Sequence, residues 1–241
     1  IYLLACGARV TVGDSPAFGT ARAVARICGL PRALTGLPVR LVNFTRPRPV
    51  PLSFGGTIGV ASTALEADII LSVPRLKVHD QMGLTGAVKN TFGCVAGSRK
   101  ALAHQLHGER GNRFPRLILD VMAALPPLFH LVDGITAMHR AGPIGGDPFE
   151  LGLLAASDQA VALDTAVCTL TGMSPERVPL WREALACGLP GSQPEDISYP
   201  LLSPTDFDVA GFLAPAALSP VAFRPWRFVT GRVKSFFARF H

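Results

Sequence analysis

Charge, lysine and closely spaced cysteine are all scarce in this sequence. Charged residues make up 17% of the 241 positions and hydrophobic ones 49%. That balance excludes a disordered chain and leaves enough apolar surface for a sizeable core. The five cysteines, at 6, 28, 94, 168 and 187, form no CxxC pair, which excludes a zinc ribbon and the ligand run of an iron–sulfur cluster. An odd number of scattered thiols is expected of a reduced, cytoplasmic protein. No apolar run reaches the ~18 residues that a membrane-spanning helix needs. Internal repeats are absent, and the 24 glycines and 21 prolines are dispersed as turn punctuation. The opening "IYLLACGARV" has neither a methionine nor a charged leader, so it is expected to be a fragment entered in mid-element rather than a signal peptide.

The formal net charge of +6 is unevenly placed. From Val209 onward there are five basic residues, Arg224, Arg227, Arg232, Lys234 and Arg239, and no acid; the preceding 208 positions carry 18 basic and 17 acidic side chains. A nearly neutral body argues against nucleic acid as a partner. In the tail, Val233, Phe236, Phe237 and Phe240 recur at i, i+3, i+4 and i+7, the stripe of a short basic amphipathic helix. It suits peripheral contact with an anionic membrane, or packing on a neighbouring domain. Residues 1–215 are therefore expected to form one α/β domain, and 216–241 a basic aromatic tail or linker.

Strand and helix signals alternate along the body, predicting an α/β fold with a mostly parallel sheet flanked by helices. "RVTVGDSP" reads as a strand ending in an acidic turn, "TARAVARICGL" as a helix closed by Gly29 and Pro31, and "VRLVNF" as a second strand. "TRPRPVPLSFGG" is expected to be irregular, because proline breaks ladder and helix alike. "DIILSVP" is a continuous apolar run of the kind buried on both faces of a parallel sheet. "RFPRLILDVMAALPP" and "QAVALDTAVCTLTGM" have helical spacing, while "FHLVDGI" and "LGLLAASD" read as strands joined by a Gly/Pro loop.

The chemistry concentrates directly after "DIILSVP", in "RLKVHDQMGLTGAVKNTFGCVAG". Two of the four lysines, Lys77 and Lys89, fall there with His79, Asn90 and Cys94 among four glycines. A loop at the carboxyl end of a buried strand is where ligands gather in open α/β sheets. Lysines hold phosphate or carboxylate as point charges, a histidine moves a proton near neutral pH, and glycines such as Gly86 let main-chain N–H groups approach an anion. The bland account is a solvated loop with two surface lysines. Cys94 is either a small buried residue or a thiol activated by Lys89.

Three further features are weaker. "HQLH" places His104 and His107 three residues apart, adjacent on one helical face, with Glu109 as a possible third metal ligand; a surface pair is the simpler reading, and His104 alone is a candidate second site histidine. Asp133, at the end of the strand in "VDGI", precedes the glycine-rich "GPIGGDP" and is a candidate to orient a basic group. Asp164 lies inside an apolar helix, where capping or an ion pair is the simple account.

The blocks "ADIILSVPRLKVHDQMGLTGAVKNTFGCVAG" and "LVDGITAMHRAGPIGGDPFELGLLAASDQAVALDTAVCTLTGM", with "VTVGDSP" before them, resemble the signature blocks of the domain of unknown function 362 family, from residue 8 to about 175. That resemblance implies a frequent fusion to a ferredoxin-like module with two four-iron–four-sulfur clusters, whose cysteines this chain lacks; such clusters would lie in a fused or partner module. The interval from His79 to Lys89, with GxTGxxK within it, is also similar to the His and Lys block of the nickel-pincer lactate racemase family. There it implies a lysine that carries the cofactor covalently and histidines that bind metal or transfer protons. The expectation is an anion-binding, catalytic site. In it His79, Lys89 and Asp133 are catalytic, and Lys77, Asn90, Gly86 and His104 bind a small anionic substrate; no metal is assigned to this chain. A scaffold or electron-transfer partner domain is the reading from another class.

Overall fold

The structure, a computed structural model, describes residues 1–16 and 19–221; the expected amphipathic helix of the tail lies outside them. Helix α1 (Tyr2–Ala5) is followed by β1 (Thr11–Asp14), α2 (Ala21–Ile27), α3 (Leu30–Ala33) and β2 (Arg40–Asn43). Thr20 caps α2 by accepting the Ala23 N–H at 3.1 Å. Strands β1 and β2 pair in parallel, so the expected strand–turn–helix unit forms and Asp14 stands at the carboxyl end of β1.

Next come β3 (Pro47–Pro51) and β4 (Thr57–Ala61), an antiparallel pair. This corrects the irregular chain expected there. The prolines occupy every second position, 47, 49 and 51, so their missing N–H groups share one edge. The flanking even-numbered residues are the ones that bond across the hairpin: Leu52 donates to Gly56 at 3.0 Å and Arg46 accepts from Ser62 at 3.0 Å. Proline therefore removes donors only from the open edge, where unpaired donors invite aggregation.

The remaining elements are α4 (Ser62–Leu65), β5 (Ile70–Ser72), β6 (Arg75–His79), β7 (Gly83–Thr85), α5 (Ala87–Thr91), α6 (Arg99–His107), α7 (Arg113–Ala124), β8 (Leu128–His139), β9 (Asp147–Ser157), α8 (Ala160–Leu170) and α9 (Pro179–Ala186). Strand β8 is the axis of a five-stranded sheet. Strands β5 and β6 run parallel to it one after the other, β9 pairs antiparallel with it, and β7 extends the sheet beyond β6. The parallel pairings β1–β2, β5–β8 and β6–β8, flanked by helices, make this an α/β fold. A register shift separates Arg75, opposite Asp133, from Lys77, opposite Met138.

Helix α7 carries the centre of the core. Phe114, Leu117, Ile118 and Val121 are all fully buried, at the i, i+3, i+4, i+7 spacing that the sequence displays. They join Val60, Leu76, Met82 and Val132 in one cluster. The sheet itself is covered on one face, by α5 and α8. On the other, Ile69, Leu71, Val73, Phe129, Leu131 and Leu154 are between 36% and 58% exposed. "DIILSVP" is thus apolar on both faces but covered on only one among the described residues, which corrects the expected double burial.

Candidate functional site

The segment expected as a loop is largely regular structure. Arg75–His79 form β6, in which Leu76 and Val78 are buried in alternation with Arg75 and Lys77. After a tight turn, β7 pairs back in register, His79 opposite Gly83 and Lys77 opposite Thr85. Helix α5 follows at once and carries Lys89 and Asn90.

What fixes α5 is Asp164, reaching across from α8. Its carboxylate accepts the Ala87 N–H at 2.6 Å and the Val88 N–H at 3.0 Å, two of the donors that a helix start leaves unpaired. Gly86 is needed for this contact: a Cβ there would lie 2.1 Å from Asp164 Oδ1. Gly86, expected to bind substrate, is therefore pressed against a carboxylate. Burial pushes Asp164 up to about 7 against the opposing pull of the two N–H groups.

Four of the expected residues come together. Lys77, His79, Lys89 and His104 act on one another, and Lys100 of α6 joins them. Burial, then repulsion from Lys77 and Lys100, brings Lys89 down to about 8. Lys77 and Lys100 are also lowered by burial, opposed in both cases by Asp14. Burial, reinforced by Lys89, His104 and Lys77, takes His79 down to about 2. Burial and Lys89 take His104 to about 4, against a hydrogen bond to the Val221 backbone. Both imidazoles are neutral near pH 7, able to donate from one ring nitrogen and accept at the other. Lys100 Nζ donates to the Ser15 carbonyl, and Ser15 Oγ accepts the Gly97 N–H at 3.0 Å.

The other expected residues are placed differently. Asn90 donates from Nδ2 to Ser72 Oγ at 2.8 Å, tying α5 to β5. Asp133 stands in mid-strand rather than at a strand end, 3.6 Å from Arg75, and accepts the Ile135 N–H; the acid that acts on the lysines is Asp14. Cys94 is pushed up to about 11, chiefly by burial, which makes it a buried thiol rather than an activated one. The HQLH pair is split: His104 packs against Phe114 with ring centroids 4.2 Å apart, whereas His107 packs against Phe54 at 5.2 Å. Among the described residues no group of three or more His, Cys, Asp or Glu is placed to hold a metal.

The glycine-rich second block does reach the site, through Asp80. Asp80 donates its N–H to the Gly142 carbonyl at 2.9 Å and accepts the Gly142 N–H at 3.0 Å. A Cβ at Gly142 would meet the Val78 carbonyl at 1.9 Å. The chain before the tail crosses the same region, with Ser219 donating to Asp80 O at 2.6 Å and Gln81 Nε2 to Pro220 O at 2.7 Å. A groove of about 320 Å³ between β3, β4 and α6, lined by Pro47, Pro49, Leu102, Leu106, Arg99 and His107 among others, contains none of the clustered lysines.

Lys100, Asp14 and Ser15 are absent from the residues singled out by sequence. Their signals were present: a third lysine in a lysine-poor chain, and an acidic turn closing the first strand.

The sequence matches the family described as Domain of unknown function (DUF362) over residues 1–169. The chain belongs to the DUF362 family. Both expected signature blocks begin inside that span, and the lysine–histidine cluster lies wholly within it. This DUF362 chain is 35% identical to the thylakoid-associated protein sll1697 of Synechocystis sp. over 235 residues, 97% of this chain and 73% of that protein. Among solved structures it resembles the lactate racemase apoprotein from Thermoanaerobacterium thermosaccharolyticum, with a TM-score of 0.50 and 13% identity, over 69% of this chain. A Thermotoga maritima protein aligns with a TM-score of 0.41 and 14% identity over 65% of this chain. The chain spans 41% and 44% of those two structures. The likeness to the racemase is one of fold. No helix among the described residues is long and apolar enough to cross a membrane.

Proposed function

We propose that this DUF362 domain binds a small anion between Lys77, Lys89 and Lys100 and that His79 moves a proton to or from it. The observation that carries the reading is a cluster in which Lys77 and Lys100 share one carboxylate, Asp14, and both repel a third desolvated lysine, Lys89. Such an arrangement is unfavourable without a ligand, and perturbed groups of this kind gather at functional sites. Burial and the lysine charges hold both imidazoles neutral. A bound anion offsets those charges and brings His79, with His104 as the second candidate, back toward the range in which an imidazole exchanges a proton near neutral pH. Substituting His79 or Lys89 with alanine is expected to abolish turnover or ligand binding in a protein that still unfolds cooperatively. Wild-type behaviour of both variants overturns the assignment.

A second reading is a nickel-pincer isomerase. It is favoured by the fold likeness to the lactate racemase apoprotein together with the meeting of His79, Lys89 and His104 in one place. Among the described residues the site offers two imidazoles rather than a three-residue donor set, so a metal there would need further donors from a bound cofactor, for which Lys89 would be the attachment point. Nickel in the purified protein and added covalent mass at Lys89 are the expected results; an active, metal-free protein with unmodified Lys89 overturns this reading. The Synechocystis relative, a thylakoid-associated protein, supports peripheral membrane association, with the basic tail as the contact. Liposome binding that survives deletion of residues 224–241 overturns that part. A ferredoxin-like iron–sulfur module, fused or in a partner and in a cytoplasmic setting, would supply electrons if the proposed reaction is a redox step.

A further inference from the structure

The charges of the cluster do not balance, and the imbalance points to one kind of anion. Lys77 projects from β6, Lys89 from α5 and Lys100 from α6, and both neighbours repel Lys89. Lys100 Nζ donates to the carbonyl of Ser15, next to Asp14 at the end of β1. A Cβ at Gly93, just past α5, would lie 3.4 Å from Asp14 Oδ1, so both helices meet β1 here. Asp14 attracts Lys77 and Lys100. The other titratable groups facing the lysines are Cys94, His79 and His104, and all three are neutral near pH 7. Three ammonium groups against one carboxylate leave two positive charges on half-buried lysines, beside His79, which is only 4% exposed. Buried charge is costly unless it is paired. A bound monoanion leaves one of these charges uncompensated, and a dianion leaves none.

We propose that the cluster binds a doubly charged oxyanion, the chemistry shared by phosphate and a short dicarboxylate, in preference to a monocarboxylate. The inference rests on the anion-site reading above and narrows its ligand class. Ammonium groups serve both ligands as point charges, and neutral His79, whose Nδ1 accepts the Gln81 N–H at 3.1 Å, has its Nε2–H left to donate. Lys89 keeps its charge below about pH 8, so dianion affinity falls as pH rises through that value.

The test is calorimetric titration of the full chain at pH 7.5 and low salt with inorganic phosphate, malonate and acetate. Phosphate, malonate or both are expected to bind at least about 10-fold more tightly than acetate. Lys100→Ala is expected to weaken that dianion by about 10-fold or more, the scale of one hydrogen bond to a charged group. Lys77→Met, monitored with its thermal unfolding curve, gives a second variant should Lys100→Ala unfold. Preference for phosphate over malonate, or the reverse, identifies the source of the dianion. Acetate binding as tightly as both dianions overturns the charge count while leaving an anion site in place. Failure of all three anions to bind a cooperatively folded wild-type protein overturns both the charge count and the anion-site reading.

Discussion

Two cations on the same strand have opposite circumstances. Arg75 opens β6 with a largely exposed side chain, 3.6 Å from Asp133. Lys77, two residues on, is drawn into a desolvated cluster with Lys89 and Lys100, where Asp14 is the acid that attracts it. The exposed pair is balanced and worth little, because water and salt screen it. The half-buried set is unbalanced, three lysines against Asp14. On the proposal above, that charge is kept for a ligand, whereas the matched pair at the surface needs none.

The contrast can be broken from the structural side first. Gly86→Ala drives a Cβ to 2.1 Å from Asp164 Oδ1 and is expected to cost about 3 kcal/mol, at the upper end of ordinary overpacking. Chemical denaturation would read this, and anion binding should be lost with it as α5 moves. Lys89→Met separates the two quantities. It should abolish dianion binding yet raise stability by about 1–2 kcal/mol, since a half-buried, repelled ammonium is replaced by an apolar group of similar length. A thermal midpoint that drops would contradict the account of Lys89 as a cation kept for a ligand.

Asp164 gives a smaller effect with a distinctive pH signature. Its folded value, raised to about 7, lies above the unfolded 3.8, so the native state holds more protons than the unfolded chain between these values. Its contribution to stability is complete below about pH 4 and is lost as pH rises through 7. Denaturation of Asp164→Asn across that range should show a flatter pH dependence and a loss of about 1–2 kcal/mol from the weakened cap on α5. Arg75→Ala closes the comparison. It should change stability by less than ~1 kcal/mol and leave phosphate or malonate titration unaltered.

Several of these features were legible in the sequence. The stripe of Phe114, Leu117, Ile118 and Val121 announced α7, and the lysine–histidine–glycine block marked both the family and most of the cluster. The prolines of β3 were misleading because the harm a proline does depends on which edge its missing donor faces, and that is a property of pairing. The loop expected after Pro74 failed similarly: Leu76 and Val78 supply a strand's alternation that the neighbouring lysine and histidine obscured. Asp14 and Asp133 each follow a run of strand-like residues, and no local signal separates them. Only the placement of the β1–β2 unit brings Asp14 to Lys77 and Lys100, whereas Asp133 stays with Arg75. Asp164 required the packing of α8 on α5, a contact between residues 77 positions apart.

The scarcity of lysine makes the central claim directly measurable. With only four lysines in the chain, the titration of each ammonium can be followed by NMR of protein carrying carbon-13 at the lysine side chain, assigned by single substitutions. Lys89 is expected to titrate near 8 in the free protein, and to move up toward its ordinary 10.5 when the preferred dianion is added. A free Lys89 that titrates at 10.5, or one whose titration is unmoved by saturating phosphate and malonate, would contradict the account.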